Sequence, residues 1–264
     1  MTGIALDLWD VAGAAVLVLL VGALSVWLRL DLERKLLIAS VRTVLQLTLL
    51  GYVLVPIFAA EQLWLTGVVG VGMVALAAFE AVRRSGRQYR GATAHAFGSL
   101  LLTGWATTIY ATAALVQPDP VTSPQVVIPL LGMMLGNGLT GVSLGLDRAL
   151  ARLDEGRDTV ELWLARGATW WEAARPVAQD AVRTGLIPIL NSMSVVGLVT
   201  IPGMMTGQLL AGAPPEQAAR YQILVMFLIA ANTAAGVVAV VLLALWSLFD
   251  SDGRLRAERI SGGR

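Results

Sequence analysis

The chain has 264 residues, 56% of them hydrophobic and 14% charged, with a mean hydropathy of +0.72; a soluble domain carries about 25% charged residues, so this composition is that of an integral membrane protein. With no cysteine and a single histidine, His95, it has no disulfide framework, no cysteine nucleophile and no multi-histidine metal cage within one subunit. The formal charge of +1 selects no partner class, and no nucleic-acid partner is expected.

The first apolar run follows Asp7 and Asp10 and precedes Arg29, Arg34 and Lys35, the reverse of a secretory signal, so it reads as a retained first span. A bilayer core takes roughly 20 apolar residues to cross as a helix. Seven segments reach that length, at about 11–28, 36–58, 63–82, 93–116, 125–146, 186–210 and 221–248. The segments between them, among them LRLDLERK, RRSGRQYRGA, QPDPVTSP and AGAPPEQAAR, carry the turn residues and charges of loops. If the N-terminus is outside, the inner side receives 18 of the 19 basic residues, from Arg29 through Arg148, Arg152, Arg166 and Arg183 to Arg254, Arg256, Arg259 and Arg264, and the outer side only Arg220. Basic loops face the cytoplasm. The expected fold is therefore an all-α polytopic membrane protein with seven transmembrane helices, the N-terminus outside and the C-terminus cytoplasmic, formed as one domain over 1–264.

The largest inner stretch, 147–185, contains ELWLARGATWWEAAR. Leu162 to Arg166 followed by Gly167 reads as a short helix ended by glycine, and a second helix starts at Thr169, whose spacing to Glu172 is that of a capping box. Pro176 interrupts or kinks this second helix. Two short helices joined at Gly167-Ala168-Thr169 make an elbow. Its Trp163, Trp170 and Trp171 suit insertion into a partner's groove, and equally an amphipathic helix lying in the lipid interface.

Glu161 followed six residues later by Gly167 resembles the E-A-A-x-x-x-G coupling loop of ABC transporter permeases, with Leu162 and Trp163 in place of two alanines. IPLLGMMLGN (128–137), TGLIPILNSMSVVGLVTIPGMMTGQLLAG (184–212) and ARYQILVMFLIAAN (219–232) resemble the FetB/YbbM-type permeases shared by bacterial iron exporters and plant aluminium-tolerance permeases. The resemblance implies a permease domain in a bacterial inner membrane, coupled through Glu161, Trp163, Arg166, Gly167, Ala168, Thr169, Trp170 and Trp171 to a cytoplasmic ATPase. The chain itself has no Walker loop, since its only lysine is Lys35 in E-R-K-L. ATP and Mg are therefore expected on a separate subunit, with no cofactor on this chain, and a second copy of the chain is expected as partner.

Inside the spans, Gly132 and Gly136, and Gly141 and Gly145, form small-xxx-small faces that suit helix packing, one of which is open as a homodimer seam. Met133, Met134, Met193, Met204 and Met205 read as adaptable fillers before soft-metal ligands. Asn137, Asn191, Ser192 and Ser194 are polar groups within spans that line a path or bond across helices. Pro188 and Pro202-Gly203 predict two breaks in the sixth span, which makes Asn137, Asn191, Ser192, Met193, Pro202, Gly203, Met204 and Met205 the candidate substrate path or gate. Glu80 with Arg83 and Arg84 reads as an ion pair, Arg42 with Gln46 as a snorkelling pair, and His95 as an interfacial histidine.

The expected function is the membrane subunit of an ATP-driven transporter, exporting iron or another metal species, with a small organic or sugar-linked compound as the alternative substrate. A non-transporting scaffold or sensor that recruits a cytoplasmic regulator is the competing class. No Ser/His/Asp set, di-acid pair or metal triad stands out, so no catalytic role is expected.

Overall fold

In lipid every backbone amide must find its partner within the chain, which restricts long apolar runs to helices. The computed structural model describes residues 7–250 and 252–262; Arg264, counted above among the inner charges, lies outside the described residues. Its elements are α1 (Leu8–Leu28), α2 (Glu33–Ala60), α3 (Leu63–Arg84), β1 (Arg87–Tyr89), α4 (Ala92–Tyr110), α5 (Pro124–Glu155), α6 (Arg157–Ala165), α7 (Trp170–Val195), α8 (Gly203–Leu210), α9 (Pro215–Leu248) and β2 (Ile260–Gly262). Among the described residues six helices are long and apolar enough to cross a membrane: α1, α2, α3, α4 with its π-helical continuation to Val116, α5 and α9. The all-α polytopic class stands on these.

The chain divides into two compact units, one of Met1–Glu61 with Gln208–Ala213 and one of Gln62–Gly207 with Pro214–Arg264. In the first, α1 and α2 form a hairpin. Arg29 adopts a left-handed conformation, Leu30 N–H donates to the Ser25 carbonyl (2.9 Å), and the Ser25 hydroxyl donates to Glu33 (3.0 Å) while accepting from Leu32 N–H (3.1 Å). One serine thus satisfies both sides of the turn.

In the second unit α5 is the central helix, in contact with α3, α4, α7 and α9. Its glycines explain how. Gly141 and Gly145 bring α5 against α7 and α9: Cβ atoms there would lie 2.9 and 2.8 Å from Val237 methyls, and the Gly141 position also 3.0 Å from the Gly185 carbonyl. This small-residue face is consumed within the chain, so of the two faces considered for a homodimer seam it is Gly132 and Gly136 that stay more open, Gly136 with nothing within 4 Å of an added Cβ. Leu131, Leu135, Leu146 and Leu150 of α5 and Val237, Val241 and Leu245 of α9 are buried in the resulting core.

Three expectations about local structure change. The inner stretch 147–185 is helical almost throughout, because α5 continues to Glu155 and α7 begins at Trp170. Pro176 and Pro188 both lie inside α7 without ending it; a proline removes one amide, and flanking turns carry the helix across the gap. The sixth expected span, 186–210, is two pieces, the end of α7 and the short α8, joined by a turn at 196–202. The break therefore lies at Gly197, with φ +81°, up to Pro202, and not at Pro188.

The C-terminal segment, legible in sequence only as a basic tail, folds back onto the bundle. β2 pairs antiparallel with β1, Arg87 opposite Gly262 and Tyr89 opposite Ile260. Asp250 closes the intervening turn by accepting from the amides of Asp252 (3.0 Å) and Arg254 (2.8 Å) and from the Arg256 guanidinium (3.1 Å). Phe249, Leu255 and Ala257 are buried in the main core.

Candidate functional site

The elbow is α6, the corner Arg166-Gly167-Ala168 and the start of α7. At its corner Gly167 N–H donates to the Leu164 carbonyl (2.9 Å) and Ala168 N–H to the Trp163 carbonyl (3.1 Å), closing the α6 C-terminus, with Gly167 at φ +89°. Only glycine takes that conformation without strain. The capping box expected at Thr169 is formed: Thr169 N–H donates to Glu172 (2.8 Å) and Glu172 N–H donates to the Thr169 hydroxyl (3.3 Å). The amide and then the hydroxyl of Thr169 hold the Glu172 carboxyl below its usual range. Glu161 is held by Arg157 one turn earlier at 2.6 Å.

The three tryptophans divide. Trp163 is 52% exposed and Trp171 39%. Trp163 borders a groove of about 200 Å³ between α6 and α7, with Arg152, Val160, Pro176 and Val177 on its walls. Trp170 instead packs inward, its ring 5.7 Å from Phe249 and 5.9 Å, edge-on, from Trp171. Trp170 is thus half-buried against the core and joins the elbow to the C-terminal segment, while Trp163, Trp171, Arg166 and Glu161 are exposed.

Behind the elbow the helices are tied by charge. Asp180 on α7 accepts from both Arg148 (2.8 Å) and Arg152 (2.7 Å) of α5. Arg87 of β1 reaches Asp154 (3.2 Å) and Glu155 (2.8 Å) at the end of α5, and Gly86 N–H donates to Asp147 (2.8 Å). The Glu80 pairing with Arg83 and Arg84 is formed at 2.8 and 3.1 Å. His95 is not a bare interfacial group: its Nδ1 lies 2.6 Å from the Tyr89 hydroxyl, which burial pushes up and keeps protonated.

Toward the other end of α5 and α7 lies a cleft of about 330 Å³ walled by α5, α7, the 196–204 segment and α9. Of the candidate path residues, Asn137, Ser192, Pro202, Gly203 and Met204 line it; Asn191, Met193 and Met205 do not. Asn137 donates to the Met133 carbonyl (3.0 Å) and Ser192 to the Pro188 carbonyl (2.9 Å), each within its own helix. Neither serves as glue between helices. Met134 is fully buried, and Met133, Met193 and Met204 pack beside it in the smaller core, as fillers do. No lining side chain is ionisable, and no group of three or more acidic or imidazole side chains that suits a metal occurs among the described residues.

The sequence reading missed Gln222, which also lines the cleft. It is 7% exposed and its Oε1 has no hydrogen-bond partner. Gln222 stands second in the expected span 221–248, within ARYQILVMFLIAAN, where nothing in the sequence assigned it a role. Asn232, three turns further along α9 and 1% exposed, donates to the Met134 carbonyl (2.9 Å), and its Oδ1 is unpartnered as well. The turn at 196–202 closes on itself, Gly197 N–H donating to Thr200 O (2.9 Å). The only signal for these was a few polar letters in apolar runs.

The chain matches, over residues 8–249, the model of the uncharacterised protein family UPF0014. It is 39% identical over 222 residues to the UPF0014 membrane protein slr1647 of Synechocystis sp., covering 83% of this chain and 84% of that protein. To the probable iron export permease protein FetB of Escherichia coli it is 31% identical, with 86% of each chain covered, and to the protein ALUMINUM SENSITIVE 3 of Arabidopsis thaliana 34% identical, with 81% and 77% covered. No solved structure matches. The chain belongs to the UPF0014 family and is an integral membrane protein.

Proposed function

We propose that this UPF0014 protein is the permease subunit of an ATP-driven exporter in a bacterial inner membrane, moving iron or another metal species. ATP, with Mg, is hydrolysed on a separate cytoplasmic ATPase that docks on the elbow, two copies of the chain form the pathway, and residues 1–264 act as one permease domain. The observation that carries this reading is the continuity of α7. One helix runs from the Thr169 cap at the elbow to Ser192 in the cleft, passing the Asp180 tie to α5. At 1.5 Å per residue the two ends are about 35 Å apart. A displacement of the elbow thus reaches the cleft through rigid elements, as coupling between distant sites requires. The similarity to a probable iron export permease supports the metal cargo. The uncharged lining of the cleft favours, as a second reading, a small organic compound.

The test is reconstitution with the cognate ATPase in liposomes. The parent pair should bind, hydrolyse ATP and move iron, and Gly167→Pro and Glu161→Arg should uncouple it. Binding and ATP-driven flux unaffected by both changes would remove the coupling role.

A further inference from the structure

Between α1 and α2 runs an apolar groove of about 790 Å³ with a pair of opposite charges in its lining. One wall is a face of α1, from Val11 through Val18 and Gly22 to Val26, and the other is the start of α2 as far as Val44. The α1 wall is about 22 Å long at 1.5 Å per residue, more than the roughly 15 Å of one hydrocarbon leaflet. Gly22 contributes no side chain to it, and the nearest atom to a Cβ there would be a Leu36 methyl at 3.9 Å. Both helices are long and apolar enough to cross a membrane. Among their described residues only Ser25 and Ile57 are buried, so the chain itself fills little of the groove.

The charges select the occupant. Glu33 and Arg34, consecutive at the start of α2, both line the groove beside the turn that joins the two helices. Glu33 is half-buried, and one of its oxygens accepts from the Ser25 hydroxyl (3.0 Å), which leaves the second for another donor. Arg34 is exposed and has no carboxylate partner among the described residues. A guanidinium takes a phosphate through paired N–H donors, and a carboxylate takes an ammonium through its protons. A headgroup that is purely anionic would satisfy Arg34 but face the Glu33 carboxylate, and a quaternary ammonium has no N–H to offer Glu33. The apolar length calls for hydrocarbon and the charged end for a zwitterion with donor protons, and a lipid bound between helices carries both in that order. We infer that the groove binds one phospholipid with a primary-amine headgroup, a phosphatidylethanolamine, with its phosphate on Arg34, its ammonium on Glu33 and an acyl chain along α1. This site needs neither ATPase nor cargo, so it stands or falls apart from the transport reading.

The experiment is native mass spectrometry of the full chain, delipidated in detergent and offered dioleoyl phosphatidylethanolamine, phosphatidylcholine and phosphatidylglycerol in equal amounts. The expected result is one retained lipid per chain, with the ethanolamine lipid favoured over each of the others by roughly fivefold, the upper end for one half-exposed ion pair. Glu33→Gln keeps an acceptor for Ser25 and should make the ethanolamine and choline lipids equal. Arg34→Gln should weaken all three, and Gly22→Leu, which fills the groove, should remove the bound lipid whatever its headgroup. Because the headgroup preference is read on the unaltered chain, a folding defect in a variant does not blunt the test. Equal retention of the three lipids, a preference for the glycerol lipid, or an ethanolamine preference that survives Glu33→Gln overturns the assignment. A dimer that carries no lipid and dissociates on Gly22→Leu also overturns it, and gives the groove to a helix of a second copy.

Discussion

Gly141 and Gly185 face each other across α5 and α7 so closely that a Cβ on Gly185 would lie 2.8 Å from the Gly141 carbonyl oxygen. Backbone cannot move aside as a flexible side chain can, so Gly185→Ala forces the two helices apart between the elbow and the cleft. Overpacking of this kind costs about 1–3 kcal/mol. The thermal midpoint of the detergent-solubilised variant should fall, whereas Gly136→Ala, where a Cβ meets nothing within 4 Å, should leave it unchanged. Equal midpoints for both variants would mean that the helices are not in contact here.

The elbow tryptophans should separate in experiment as they do in space. Trp170→Ala opens the contact with Phe249 and should cost roughly 2 kcal/mol, about half the loss for a fully buried tryptophan. Trp163→Ala removes a half-exposed ring and should leave the thermal midpoint nearly unchanged while weakening co-purification with the proposed ATPase partner. A Trp170→Ala, Phe249→Ala cycle should show a coupling of about 0.5–1.5 kcal/mol, the range for aromatic pairs. Additive losses would mean that the rings do not support one another.

Why some of this was legible from letters alone follows from range. Thr169 and Glu172 are three residues apart, and Glu80 and Arg83 likewise, so the partners that complete each are in the same few letters. The apolar runs, too, gave the long helices, since length and hydropathy are local sums. Trp170 and Phe249, or Gly141 and Val237, are far apart in sequence, and nothing near either member announces the other. Proline misled for the opposite reason. Its local chemistry argues for a break at Pro188, yet α7 continues, and the chain breaks at Gly197, where the backbone has positive φ. Of the path candidates, those that line the cleft sit on the walls that tertiary packing happens to face together, and Gln222 joined them only because α9 brings it there.

Acid should loosen the elbow. The Thr169 amide and hydroxyl lower the Glu172 carboxyl below its unfolded value, so its contribution to the cap is complete above the unfolded value and is lost as pH falls through the lower folded one. Glu172→Ala should therefore lower the thermal midpoint at neutral pH, and the gap to the parent should narrow on acidification past the carboxylate range. A gap that is the same at neutral and strongly acidic pH would assign the effect to packing and not to the charged cap.

The number of crossings can be read with single cysteines, because the chain has none of its own. Among the described residues six helices are long and apolar enough to span, and α7 is not one of them. If the basic elbow is cytoplasmic and the loop before α9 is outside, the chain must cross between Arg166 and Glu216, and the only segments there are α7, the 196–202 turn and α8. That crossing would be polar and broken, which is tolerable at membrane depth only where the irregular backbone lines a cavity or is buried in protein; the turn does line the cleft, through Val196, Thr200 and Pro202. With a membrane-impermeant maleimide, Glu216→Cys should react in intact cells and Arg166→Cys only after permeabilisation, giving seven crossings. Reaction of both from the same side would reduce the count to six and lift the cleft turn out of the bilayer.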